Sequence, residues 1–310
     1  MAVEDGLADI STEAASETLR PDTTSGRRRL SVAWIGTLPF FAYTIAFLFL
    51  PAGAILAGAF EGKKTGWTLE NVRVLFHHPF IDAYQTSIEI SAVTAVLGGV
   101  IGFLIAYAAI REGTPRWIRS AITTFSGVAA NFGGIPLAFA FIATIGSLGI
   151  VTVFLRNTVG WDPYQHGFFL PSRTGVEIVY LYFQLPLMIL VIAPAIDGLR
   201  REWREAASNL GASQLQFWRY VGVPVLMPSI LGAIILLFGN AFAAYATAYS
   251  LTSGGAGVSL VPILIGSYYT GNVLDNPHLA QALAFGMFVV LALMMLMYIP
   301  LQRRASRWAK

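Results

Sequence analysis

The sequence predicts an all-α membrane protein built from six transmembrane helices. Three observations carry that expectation: long runs without a charged residue, too little charge for a water-facing surface, and basic residues that collect in every second segment between the runs. Of 310 residues, 55% are hydrophobic and only 12% are charged. That charged share is about half the usual value for a soluble domain, so lipid must replace water around much of the chain. Residues 30–60, 90–110, 120–155, 178–196, 220–274 and 276–302 each lack Asp, Glu, Lys and Arg. A helix rises about 1.5 Å per residue, so roughly 20 apolar residues cross a hydrocarbon core of about 30 Å. The expected helices lie at about 33–58, 85–110, 120–146, 177–197, 228–251 and 280–301. The run 220–274 is long enough for two spans. Its second half is interrupted by Gly254, Gly255, Gly257, Pro262, Gly266 and Gly271. That half reads as a short surface or re-entrant segment.

Charge placement tests the count. With six spans and the N-terminus inside, Arg20, Arg27, Arg28, Arg29, Arg111, Arg116, Arg119, Arg200, Arg201, Arg204, Arg219, Arg303, Arg304, Arg307 and Lys310 fall on the inner side. Lys63, Lys64, Arg73, Arg156 and Arg173 fall outside. Basic residues collect on the cytoplasmic side of membrane proteins, so this split favours six spans with both termini cytoplasmic. A seventh span would carry the basic C-terminal residues to the wrong side.

The net charge of +3 is small and forms no basic patch, so no nucleic-acid partner is expected. The absence of cysteine excludes a disulfide framework, a thiol nucleophile and a Cys-based metal site. The first 26 residues of the segment 1–30 carry Glu4, Asp5, Asp9, Glu13, Glu17 and Asp22 against a single Arg20. A cleavable signal peptide starts basic and turns apolar, so this segment reads as a disordered cytoplasmic tail ahead of a membrane domain at 31–310. The outer loops 59–84 and 147–176 are rich in aromatic residues and proline, including Trp67, Pro79, Trp161, Pro163 and Tyr164. Such loops suit the lipid–water boundary.

The most informative segment is the inner loop 198–228. Residues 201–210 are good helix formers, and Gly211 suits a left-handed C-terminal stop. Ala206, Ala207 and Leu210 share one small apolar face. A second helical piece carries Leu215, Phe217, Trp218 and Val221, and Pro224 and Pro228 are expected to break it before the next span. The loop therefore reads as a short amphipathic helix–turn–helix lying along the membrane. Its small residues permit close approach of another protein.

This loop resembles the EAA motif of type I ABC importer permeases. Glu205-Ala206-Ala207, three residues and Gly211 match it position by position, and the run from Val223 to Ile230 continues the pattern into the next helix. The resemblance extends from about residue 80 to the C-terminus and looks like the polyamine-type branch of these permeases. It implies a type I permease fold in a bacterial inner membrane. It also implies a docking helix carried by Arg204, Glu205, Ala206, Ala207, Gly211 and Ala212. The implied partners are two ATPase subunits, a second identical or different permease, and an extracytoplasmic substrate-binding protein expected on the 147–176 and 252–279 loops. ATP and Mg would sit on the ATPase subunits and no cofactor on this chain. The implied cargo is a small solute, spermidine or putrescine above all, moved by alternating access.

Asn131, Gln184 and Asn240 sit inside predicted spans three, four and five, with Tyr245 near the end of the fifth. An amide in lipid needs a partner, so these side chains face the bundle interior. They either line a translocation path or make interhelical hydrogen bonds. Gly133, Gly134 and Pro136 loosen the third span beside Asn131. Glu89 and Glu177, near outer span ends, either attract a cationic solute or are solvated helix-end carboxylates. His77, His78, His166 and His278 all fall in outer segments. Asp162 with His166 and Asp275 with His278 are too sparse for a metal site, so none is expected. Gly98-x3-Gly102 permits close helix packing. The stretch Glu61–Thr65 superficially resembles a phosphate-binding loop, but Ala57 and Lys64 stand where the motif needs Gly and Ser or Thr.

A stand-alone secondary carrier or channel is the rival reading. Such a carrier couples ions through an ionisable residue deep in the membrane, and the predicted spans hold almost none. A membrane enzyme would need a nucleophile–base pair or a metal cluster at one face, and neither is legible. No catalytic residue is expected.

Overall fold

The computed structural model describes residues 33–62, 66–110, 114–271, 276 and 278–307. The acidic segment 1–30, Lys63, Lys64, Arg111, Asp275 and Lys310 lie outside the described residues. The chain falls into two compact units, one ending at Gly53 and the other beginning at Ala54. The helices in chain order are α1 (Ala33–Thr44), α2 (Leu50–Gly58), α3 (Glu70–Val74), α4 (Phe80–Ile110), α5 (Arg116–Asn131), α6 (Gly134–Ile145) and α7 (Ile150–Phe154). They continue as α8 (Arg173–Asp197), α9 (Arg201–Asn209), α10 (Gln214–Phe217), α11 (Val223–Phe242), α12 (Ala246–Leu251), α13 (Val261–Thr270) and α14 (Leu279–Arg307). Among the described residues the only extended pairing is an isolated bridge between Glu61 and Trp67. Among the described residues six helical stretches are long and apolar enough to cross a membrane: Gly36–Gly58, Phe80–Ile110, Gly134–Val159, Arg173–Asp197, Gln214–Phe242 and Leu279–Pro300.

Three wide π-turns interrupt the helices, at Ile45–Phe49, Leu155–Val159 and Trp218–Gly222. Two of them precede a proline by two residues, Pro51 and Pro224. Proline has no N–H for the carbonyl four residues back, and its ring crowds that carbonyl. Those carbonyls belong to Phe47 and Tyr220, inside the wide turns, where the extra residue makes room.

The expected break at Pro224 and Pro228 is therefore corrected. The π-turn absorbs Pro224, Pro228 lies inside α11, and the chain stays helical from Gln214 to Phe242. Two other expectations shift as well. The third apolar run is not one helix over 120–146 but α5 and α6, separated at Phe132 and Gly133. Gly134 adopts φ +69°, and Pro136 cannot donate to the Phe132 carbonyl, so the ladder stops there. The fifth run does not continue to 251. It ends at Phe242, passes a non-helical link at Ala244 and Tyr245, and resumes as α12. The hydroxyl of Tyr180 on α8 donates to the Ala244 carbonyl at 2.9 Å, satisfying a group the break releases. The Gly-rich stretch forms only the ten-residue α13, about 15 Å long and too short to span.

The core is a seam of close backbone approaches. A Cβ at Gly98 would lie 2.7 Å from the Gln184 Cβ, and one at Gly102 the same distance from the Met188 Cβ. Gly99 meets Ile234 of α11 as closely. So α4 carries two glycine faces, one for α8 and one for α11. On α14, Gly286 makes room for Tyr84, whose hydroxyl donates to the Leu283 carbonyl.

Candidate functional site

The loop at 198–228 forms one mechanical unit. Helix α9 has no buried residue. Its Arg201 pairs with Glu205 at 3.0 Å, and the Arg204 guanidinium lies over the Phe217 ring at 5.8 Å. Glu205 and Ala206 are exposed, Ala207 is half-buried, and Leu210 is 88% exposed. A leucine that bare, beside two alanines, leaves an apolar patch uncovered by this chain.

The stop is a full Schellman motif. Ala212 N–H donates to the Ala207 carbonyl at 3.0 Å and Gly211 N–H to that of Ser208 at 2.9 Å, with Gly211 at φ +79°. A capping box follows at once. Gln216 N–H donates to Ser213 Oγ, and Ser213 N–H donates to Gln216 Oε1. Helix α10 then passes through the π-turn into α11. Phe217 is buried, and Trp218 packs edge-on against Tyr107 near the end of α4, with ring centres 4.6 Å apart. Arg119 of α5 pairs with Asp197 at the end of α8, at 2.5 Å. The exposed helix thus hangs from a rigid frame made by α4, α5, α8 and α11.

The second region is a cavity of about 300 Å³ at the two helix breaks. Asn131, Gly134, Asn240, Tyr245 and Thr247 line it, with Phe183. Three of the four predicted path residues therefore meet in one place. Gln184 does not reach it. That side chain is fully buried between α4 and α11, and its Nε2 donates to the Leu237 carbonyl at 3.0 Å. Its Oε1 has no hydrogen-bond partner. Thr247 was not picked out from the sequence. It accepts from Gly134 N–H at 2.9 Å and so ties the two breaks together. No local signal marked it, because its partner lies 113 residues away in the chain.

At the far ends of α4 and α8, Arg173 bridges Glu89 and Glu177, the latter at 3.1 Å, and Gln85 donates to Glu89 at 3.2 Å. Both carboxylates are thus engaged by a cation. His166 Nδ1 lies 2.8 Å from the Asp162 carbonyl oxygen, while the Asp162 carboxylate accepts from Tyr164 N–H and faces Arg156 at 3.7 Å. Among the described residues no group of three acidic or histidine side chains converges on one point.

Residues 98–307 match the family described as binding-protein-dependent transport system inner membrane component. The chain belongs to that family. As such a component it is a non-catalytic, multi-pass permease subunit of an ABC importer, and partner ATPase subunits use the ATP. The match covers α9, the cavity and the glycine seam. Among curated relatives, the probable sulfate transport system permease protein cysT of Nephroselmis olivacea is 28% identical over 72% of each chain. The spermidine/putrescine transport system permease protein PotB of Haemophilus influenzae is 25% identical over 83% of this permease and 90% of the relative. Among solved structures, a bacterial ABC transporter involved in the import of the acidic polysaccharide alginate superposes with a TM-score of 0.66 at 20% identity. It covers 88% of this chain and 95% of the other, and that likeness concerns the fold alone.

Proposed function

We propose that α9, with Arg204, Glu205, Ala206, Ala207, Gly211 and Ala212, is the surface on which two partner ATPase subunits act. One observation carries this reading. An exposed helix with no buried residue is locked, through a Schellman stop and a capping box, to a helix that runs unbroken into the membrane. A push on α9 is therefore delivered to α11 rather than lost in a hinge. Both termini and α9 lie on the cytoplasmic side of a bacterial inner membrane. A second permease completes the pathway, and an extracytoplasmic binding protein delivers solute at segments 147–176 and 252–279.

The solute is a polyamine of the spermidine or putrescine kind. Of the relatives named above, the polyamine permease shares the longest stretch of this chain. The rival cargo is sulfate, favoured by the higher identity of the sulfate permease. Calorimetry on the cognate binding protein separates them: spermidine is expected to bind, and binding of sulfate alone refutes the polyamine reading. Docking is tested by purifying the chain with its ATPase and introducing Glu205→Arg. Solute-stimulated ATP turnover is expected to drop about tenfold or more, the loss of one charge-assisted contact at an interface. Unchanged turnover and transport would remove α9 from the mechanism.

A further inference from the structure

We propose that the cavity between the two helix breaks is a transit site for an ammonium group. The inference rests on the permease reading above and gives its pathway a ligand chemistry.

Every polar side chain that lines the cavity can accept a hydrogen bond, and none carries a charge. One Nδ2 hydrogen of Asn131 donates to the Gly127 carbonyl at 2.8 Å, which leaves Oδ1 as an acceptor and one N–H for a ligand. Helices α5 and α11 both end here, and helix C-termini present carbonyl oxygens with partial negative charge. The opposite feature, the start of α6, is the usual place for an anion. Here it is blunted. Gly134 N–H is taken by Thr247 Oγ1, Gly133 N–H donates to the Asn131 carbonyl at 3.2 Å, and position 136 is a proline with no N–H. The remaining side-chain donors are the second Nδ2 hydrogen of Asn131, the Asn240 amide and the hydroxyls of Tyr245 and Thr247, each on a group that also accepts.

An aromatic side chain completes the site. Tyr245 lines the cavity, and its ring is seated against Gly266, where a Cβ would come within 2.8 Å of Cε2. A cation attracted to a ring face gains most where water is scarce. No charged side chain lines the cavity, so a doubly charged anion would find no cation to replace its lost water. An ammonium finds Oδ1, helix-end carbonyls and a ring. The lack of a carboxylate keeps the binding weak enough for release.

The chain has no cysteine, so Ala243→Cys places its only thiol on the cavity wall. The assembled transporter, with partner subunits, is treated with a small maleimide, and labelling of this chain is read by mass. Spermidine is expected to slow labelling about threefold or more by occupying the cavity, and sodium sulfate at equal ionic strength is expected to leave the rate unchanged. Adding Asn131→Leu or Tyr245→Leu is expected to abolish the protection. Ala246→Cys is the second reporter if the first does not assemble. Protection by sodium sulfate, none by spermidine, or protection that survives both leucine variants overturns the site. Spermidine uptake by the unmodified transporter is measured in parallel. Uptake without protection sinks the site and spares the polyamine reading, whereas protection without uptake does the reverse.

Discussion

At Gly211 a single dihedral angle decides whether α9 has a defined end. Its φ of +79° lies in the left-handed region, where a Cβ meets the neighbouring carbonyl. Open space surrounds the Cα, so an added methyl clashes with nothing else, and the cost is conformational alone. Gly211→Ala is expected to cost about 1 kcal/mol locally. Helix α9 buries nothing, so that cost should barely move the melting temperature of the whole chain. It should instead lower solute-stimulated ATP turnover of the assembled importer. A large fall in melting temperature would show that the stop holds up the whole fold rather than α9 alone.

Gln184 poses the reverse question. It donates to Leu237 but leaves Oε1 unpartnered in a fully buried position. Gln184→Leu keeps the volume and removes a costly bare oxygen, so stability should stay within about 1 kcal/mol of the parent, while Gln184→Ala opens a gap and should cost more. Transport should follow stability in both variants. Transport lost from a stable Gln184→Leu protein would return this residue to the solute path.

At the scale of elements, the helix–stop–helix at 198–228 was largely legible, and Gly133, Gly134 and Pro136 marked the loosening of the third run, whereas the break in the fifth was not legible. The EAA spacing placed the α9 residues and Gly211, because a glycine stop after a helix-forming run is a local signal. Pro224 and Pro228 pointed to an interruption that does not occur. Local rules count the missing N–H but cannot see that a π-turn will take up the slack. The break after Phe242 left no local signal either. It depends on the Tyr180 hydroxyl from another helix, a contact 64 residues away. Continuity from α10 to α11 has a mechanical consequence. Two glycines inserted between Ala212 and Ser213 would part the Schellman turn from the capping box and leave both helices intact. ATPase subunits should still co-purify, but ATP turnover should no longer respond to loaded binding protein. A response that persists would mean that α9 moves α11 by some route other than this joint.

Across the whole molecule, two devices join α4 to α8, and their magnitudes differ. The ion pair of Arg173 with Glu89 sits where both side chains are well exposed, so water and salt screen it. The glycine seam lies in the packed interior, where Gly102 is already within 3.0 Å of the Leu185 carbonyl for any added Cβ. Overpacking such a contact typically costs about 1–3 kcal/mol, since two long helices must move apart together. Gly102→Val should therefore lower the melting temperature of the purified permease clearly, and Arg173→Met should leave it near the parent value. The same comparison bears on function. If the ends of α4 and α8 joined by Arg173 separate during transport, Arg173→Met should alter the turnover rate without altering stability. Gly102→Val should depress both, because that seam also backs Gln184 and the α11 face on which the cavity is built. Equal melting temperatures for the two variants would contradict the assignment of α4 and α8 cohesion to glycine packing.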